Sequence, residues 1–238
     1  EKPSYSFSEK AYNSYFARLN YDYADKYFVE ATYRKDGSSL FGKNKRYADF
    51  YSFGANWNAK KESFLEDVEW LNKLNVRLSY GTTGNSGISE YLANGLIGSS
   101  SQYDGKETWG LSQVENPDLT WETVESTNLG ISTRLFDLVD VEVELYNKNT
   151  KDMLMEIPYS YATGFSGGYG NIGNMNNKGI DVTLGFNVIS TKDMTFNVSG
   201  TFNYNKNEIT KLFDGKDKSV VPNTDIKHQV GKHLSEFY

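Results

Sequence analysis

The chain has 238 residues, a net charge of −6, 38% hydrophobic residues and a mean hydropathy of −0.62. No apolar run approaches the roughly 18 residues a membrane-spanning helix needs, which excludes a helical membrane protein but not a membrane barrel, whose strands are only half apolar. The acidic balance argues against a nucleic-acid partner, and the absence of cysteine excludes disulfides and thiolate metal sites.

In chain order, the opening "EKPSYSFSEK" has neither the charged nor the apolar region of a signal peptide, so either a signal has been removed or this is an internal piece of something larger. Period-2 alternation then begins. Tyr15, Ala17, Leu19, Tyr21 and Tyr23 alternate with Arg18, Asn20 and Asp22, and after the short turn "ADK" Tyr27, Val29, Ala31 and Tyr33 alternate with Glu30, Thr32 and Arg34. Tyr51, Phe53, Ala55 and Trp57 mark a third strand, and Val76, Leu78 and Tyr80 a fourth. Between them "SFLEDVEWLNKL" sets Phe64, Val68 and Leu71 at helical spacing, with Ser63 and Glu66 placed as a capping box, which predicts one short helical turn packed on a rim.

Leu129, Ile131 and Leu135 predict a fifth strand; "VDVEVELY" predicts a sixth, with Val139, Val141, Val143 and Leu145 against Asp140, Glu142 and Glu144. Ile180, Val182, Leu184, Phe186 and Val188 form the apolar side of a seventh, and "MTFNVSGTFNYN" (194–205) is an eighth. Eight amphipathic strands in series predict an all-β antiparallel up-and-down meander of long strands. The turns at 24–26, 137–138 and 191–193 are very short, whereas 36–46, 82–120, 158–178 and everything after Leu212 are long links. Tight turns at one end and long loops at the other are how an outer-membrane barrel is organised.

Charge placement alone leaves the solvent open. Asp140, Glu142 and Glu144 share one face, and Arg18, Arg77 and Arg134 lie opposite their strands' apolar residues. A soluble sandwich obeys the same rule. Strand length favours the membrane: twelve residues (194–205) tilted at about 45° rise roughly 28 Å, enough for an apolar band about 25 Å tall.

Five ordered stretches carry a resemblance: "SYFARLNYDYADKYFVEATYRKDGSSLFGKNKRYADFYSFGANW", "KLNVRLSYGTTGN", "ENPDLTWETVESTNLGI", "LYNKNTKDML" and "NIGNMNNKGIDVTL". Together they resemble the barrel of SusC/RagA-type TonB-dependent outer-membrane transporters. The resemblance implies a partial barrel domain over 1–238, about a third of a wall of about 22 strands, with the plug and the TonB box absent and the sheet open. It further implies a bacterial outer-membrane location, contact with outer-membrane lipid, a SusD-like surface lipoprotein and TonB as partners, and a glycan or peptide as cargo. "VGKHLSEFY" resembles the segment that precedes a further strand, so Tyr238 is not read as a barrel's terminal aromatic.

No catalytic, cofactor-binding or metal residue is expected, and no cofactor. His228 and His233 read as polar loop residues, "TGFSGGYGNIGN" lacks the Lys-Ser/Thr pair of a phosphate loop, and "DGKDK" (214–218) lacks the later glutamate of a calcium loop. In "NPDLTWE", Pro117 and Asp118 predict a turn, and Trp121 is expected to anchor a strand start at the membrane boundary or, less simply, to stack on a sugar. "DGSS" (36–39) and "NNKG" (176–179) read as turn chemistry, and Tyr103, Trp109, Phe165 and Tyr169 are loop aromatics within reach of a substrate. The alternatives are a soluble carbohydrate-binding module and a β-rich glycosidase, whose paired carboxylates a single sequence does not locate.

Overall fold

The computed structural model describes residues 7–165, 167–212, 215–220 and 227–234. Its strands are β1 (Tyr12–Tyr23), β2 (Tyr27–Ser38), β3 (Tyr47–Asn58), β4 (Leu71–Asn85), β5 (Leu96–Tyr103), β6 (Lys106–Gln113), β7 (Glu122–Leu135), β8 (Val139–Pro158), β9 (Gly167–Ser190), β10 (Thr195–Lys211), β11 (Lys218–Val220) and β12 (Lys227–Gln229). Eight of them make one antiparallel sheet in the order β1-β2-β3-β4-β7-β8-β9-β10; β5–β6 and β11–β12 are separate hairpins. All eight sequence-derived strands are present, and the sheet is an open meander.

Register turns the alternation of each strand into a property of the whole wall. Across the sheet, Tyr21, Val29, Ala55, Leu78, Leu129, Leu145, Ile180 and Tyr204 stand opposite one another in one unbroken row. Two residues nearer the short turns, Tyr23, Tyr27, Trp57, Val76, Ile131, Val143, Val182 and Phe202 form a second row on the same face. Neither row contains a charge. The row between them points the other way: Asp22, Phe28, Asn56, Arg77, Gly130, Glu144, Asp181 and Asn203.

The apolar face is uncovered. Leu19 is 70% exposed, Phe202 61% and Val198 47%, and no buried hydrophobic residue lies in these rows. A sandwich would press this face against a second sheet about 10 Å away. A face this wide, apolar and charge-free without a protein cover is solvated by lipid. The strands also descend in step. The β1–β2 ladder closes at Tyr23/Tyr27; β7–β8 continues past Ile131/Val143 to Leu135/Val139, and β9–β10 past Val182/Phe202 to Ser190/Thr195. This stagger is the shear that a tilted barrel wall requires.

Two of the tight turns share one geometry. Ala24 and Asp25 both have positive φ between Tyr23 and Lys26, whose N–H donates to the Tyr23 carbonyl at 3.0 Å; Phe136 and Asp137 repeat this between Leu135 and Leu138. Two successive left-handed residues make a type I′ turn, whose twist matches that of the flanking strands. The sequence suggested turns here, but not that Ala24 and Phe136 would take conformations usually left to Asn or Gly.

Several expectations change. The helix is shorter than its periodicity suggested: a 3-10 turn (Ala59–Lys61) and α1 (Ser63–Glu66), after which Leu71 pairs with Leu135 in β4. Ser63 is not its cap; Glu62 holds that position and makes no side-chain cap bond. Instead the Lys60 ammonium caps the other end, donating to the carbonyls of Leu65, Glu66 and Val68 at 2.9–3.0 Å. Two long links are partly sheet. Residues 82–120 contain the end of β4 and the β5–β6 hairpin, and most of 158–178 belongs to the 24-residue β9, so that "NNKG" lies mid-strand opposite Tyr146–Asn149. "DGS" closes β2 rather than forming a loop. At about 3.3 Å per residue, β9 is far longer than an apolar band about 25 Å tall, so the wall extends well beyond the bilayer on the long-loop side.

Placing an arginine on the outward face at mid-band, Val143→Arg, is expected to destabilise the folded full-length barrel by about 2–4 kcal/mol. Thr183→Arg, on the opposite face, is expected to cost far less; equilibrium folding into lipid vesicles in a denaturant series measures both.

Candidate functional site

The inward face carries polar and charged side chains, many of which pair across strands. Arg134 and Asp140 stand directly opposite on β7 and β8, and the guanidinium forks onto both carboxylate oxygens at 2.7 and 2.9 Å, while Asn187 donates to Asp140 from β9 at 3.3 Å. Arg77 on β4 reaches over β7 to Glu142 on β8, 2.5 Å away. Gly130 leaves room for that crossing: a Cβ there would stand 3.3 Å from the guanidinium nitrogens and crowd them. Arg18 and Glu30 pair at 3.7 Å, Asn128 donates to Ser79, the Tyr146 hydroxyl donates to Asn205, and Asn203 donates to Asp181. Open hollows lie on this face, two of them larger than 500 Å³. One, of about 560 Å³, is lined by Asn20, Glu30, Gly54, Arg77 and Glu144 among others; the second, of about 520 Å³, by Tyr146, Lys148, Asn177, Asp181 and Asn205. These groups can hold water and polar solute by hydrogen bonding.

At the short-turn rim, Glu62 gathers three donors: the Tyr27 hydroxyl at 2.5 Å, the Trp57 indole at 3.1 Å and the Lys26 ammonium at 3.2 Å. The Tyr27 hydrogen bond first, then that from Trp57, with Lys26 adding to both, hold the Glu62 carboxyl below its ordinary value. Tyr23 stacks on Tyr27, and Trp70 meets Phe136 at 6.2 Å, so aromatic side chains ring this border.

At the other end a clasp binds the β2–β3 loop and the segment before β7 to β9. Trp121 packs on Phe41 with ring centroids 4.7 Å apart and takes Phe50 edge-on at 5.8 Å, and its indole N–H donates to the Arg46 carbonyl. Gly42 donates to the Leu119 carbonyl and Asn44 to that of Pro117; a side chain at Gly42 would collide with the Pro117 carbonyl. Asn171 of β9 then locks in the same motif, accepting from the Thr120 N–H and donating to the carbonyls of Thr120 and Asp152, while Asn116 donates to the Tyr169 carbonyl. Trp121 is 6% exposed. It is neither a membrane anchor nor a sugar platform: the β2–β3 loop folds over it and removes it from both. Its role was hidden in sequence because its partners, Phe41 and Phe50, belong to a distant loop and strand. Asn116 and Asn171 were missed for the same reason, although both lie in quoted motifs.

The loop aromatics do not converge on one element. Trp109 projects from β6, 71% exposed; Phe165 follows a 3-10 turn after β8; Tyr169 lies on β9; the Tyr103 side chain is outside the described residues. His228 sits in the β11–β12 ladder, where burial pushes its imidazole pKa down, and part of "DGKDK" is outside the described residues.

An outward face whose mid-band rows carry no charge, a polar inward face, staggered strands and short turns at one rim define a segment of an outer-membrane β-barrel. The chain belongs to the TonB-dependent receptor family: the family model "TonB dependent receptor-like, beta-barrel" matches residues 1–231. It is 36% identical over 248 residues to TonB-dependent receptor P3 of Formosa agariphila, covering 100% of this chain and 25% of that protein. It is 32% identical over 245 residues to TonB-dependent receptor SusC of Bacteroides thetaiotaomicron, covering 94% and 24%. Among solved structures, the RagAB peptide importer in its closed-closed state superposes with a TM-score of 0.86 at 37% identity, over 94% of this chain and 25% of that one. The siderophore receptor PirA of Pseudomonas aeruginosa, 16% identical with a TM-score of 0.58, shares the fold. The chain thus spans about a quarter of the SusC and RagAB chains it matches.

Trp121→Ala in the full-length protein is expected to cost about 3–5 kcal/mol at the clasp. Amide hydrogen exchange reads this as faster exchange at Gly42 and Asn44, with Val141 and Val143 unchanged. For Glu62, a depressed folded pKa means its contribution is present above the ordinary value of 4.5 and is lost as pH falls through the lowered one. Protection of the Asn58 amide, which bonds the Lys26 carbonyl at 2.7 Å, should therefore fall in that acid window, and Glu62→Gln should abolish the step.

Proposed function

We propose that this chain is part of the wall of a TonB-dependent importer that moves a nutrient, a peptide or a glycan, across the outer membrane without covalent chemistry. The observation that carries this reading is the pairing of an unbroken lipid-compatible face with a predominantly polar face behind it. A wall of that kind separates lipid from a wet interior, and a wet interior is what a polar cargo needs. The likeness to the RagAB peptide importer supports a peptide cargo, and the likeness to SusC supports TonB and a SusD-like surface lipoprotein as partners.

The rest of the wall and a plug belong, in this reading, to further parts of a longer protein. Among the described residues, β1 and β10 pair in the sheet on one side only. An open edge leaves a row of backbone N–H and C=O groups unpaired, each costing several kcal/mol in hydrocarbon, so additional strands must close the sheet. No residue is assigned a catalytic, cofactor or metal role.

The test is uptake. Deleting the gene that encodes this chain is expected to abolish growth on the imported peptide or glycan, and affinity purification of the tagged protein from detergent-solubilised outer membranes is expected to bring a surface lipoprotein with it. A protein that extracts without detergent and binds glycan alone would instead support a soluble carbohydrate-binding module.

A further inference from the structure

The outward face changes character abruptly at the upper border of its apolar band, on the long-loop side. On β9 and β10 the band runs up through Val182 and Ile180, and through Phe202 and Tyr204; the next outward positions are Lys178 and Lys206. These two lysines stand directly opposite each other in the ladder, and both are exposed. Like charges directly opposite on neighbouring strands destabilise a sheet, so an anion near the pair is favourable.

Other lysines along this border carry their own carboxylate. Lys35 is opposite Asp49 in register, with the charges 3.7 Å apart, and Lys151 meets Glu125 at 2.7 Å. Here Glu208 contacts Lys206 at 2.8 Å, and among the described residues Lys178 has no carboxylate within ion-pair distance. The cluster therefore retains one positive charge on a surface whose lower neighbours are lipid-facing. Beside it, the Asn176 amide donates to both Asn147 and Asn149 at 2.6 Å, which extends the polar strip along the same border.

We propose that Lys178 and Lys206 form a binding site for the phosphate of an anionic lipid in the outer leaflet, whose acyl chains lie along Ile180, Val182, Phe202 and Tyr204. The geometry matches an amphiphile: two ammonium donors at headgroup height, and uncovered aromatic and branched side chains directly beneath. A free phosphate would satisfy the lysines but leave the apolar strip unused. The inference rests on the outward orientation of this face and is independent of what the barrel carries.

The test uses the purified full-length protein exchanged into vesicles of phosphatidylglycerol or phosphatidylcholine of equal chain length, with native mass spectrometry counting retained lipid. Wild type is expected to retain phosphatidylglycerol in preference. Lys178→Gln or Lys206→Gln is expected to lower that preference about fivefold each, and the double substitution roughly 25-fold, in proportion to the attraction of one lysine near an anionic surface. Lys178→Arg with Lys206→Arg should retain the preference, and Lys35→Gln should leave it unchanged. Heat-dependent electrophoretic mobility establishes that each variant is folded. An unaltered preference in the folded double glutamine variant overturns the proposal, as does equal retention of the two lipids by wild type. Displacement of the lipid by millimolar inorganic phosphate would also overturn it, by making the site one for the free anion.

Discussion

The constraint on which this structure depends is that backbone N–H and C=O groups find no water inside a bilayer. A strand in lipid must bond to a strand on each side, and the chain meets that demand by laying each new strand beside the previous one. Antiparallel neighbours joined by type I′ turns do this with almost no connecting chain, as at Tyr23–Lys26 and Leu135–Leu138. The β3–β4 connection is longer and is held instead by Lys60, which satisfies three carbonyls that the brief helix leaves open.

Once the ladder is in place, the two faces acquire different chemistry. A charge costs little on the inward side and up to several kcal/mol on the outward side, so ionic groups at membrane depth turn inward. There they pair over distances the sheet dictates: Arg134 with the residue directly opposite, and Arg77 over Gly130 to a strand two places away. Glycine at 130 leaves room for the longer reach. The outward side needs no packing partner, since lipid supplies the contacts that a second sheet would supply in water. Among the described residues, the buried hydrophobic side chains lie instead at strand ends and in loops, where Phe41, Phe50 and Trp121 are gathered in the clasp.

That clasp addresses a difficulty of long extracellular connections, the entropy of holding long loops in one arrangement. Three stretches far apart in the chain converge on Trp121 and Asn171, and their backbone groups bond to one another instead of to water. The loops are thereby tied to the wall on which they stand. The β5–β6 hairpin projects from the same long connection, its Ile97 and Leu111 paired across the two strands.

What the sequence by itself determined was the alternation, and with it the eight strands, their inward charges and the places of the short turns, because a two-residue period records which solvent each side chain meets. The family resemblance was legible as well, carried by motifs that span strands and loops together. Three things were decided only by tertiary structure. The extent of β9 depends on its neighbours, since "NNKG" reads as a turn until β8 and β10 offer it partners. The burial of Trp121 depends on Phe41 and Phe50, whose approach no local pattern encodes. The facing pair Lys178 and Lys206 depends on register, which sets two residues 28 positions apart in sequence side by side. Local sequence specifies which face a residue takes; only hydrogen-bonded pairing between strands specifies whom it meets there.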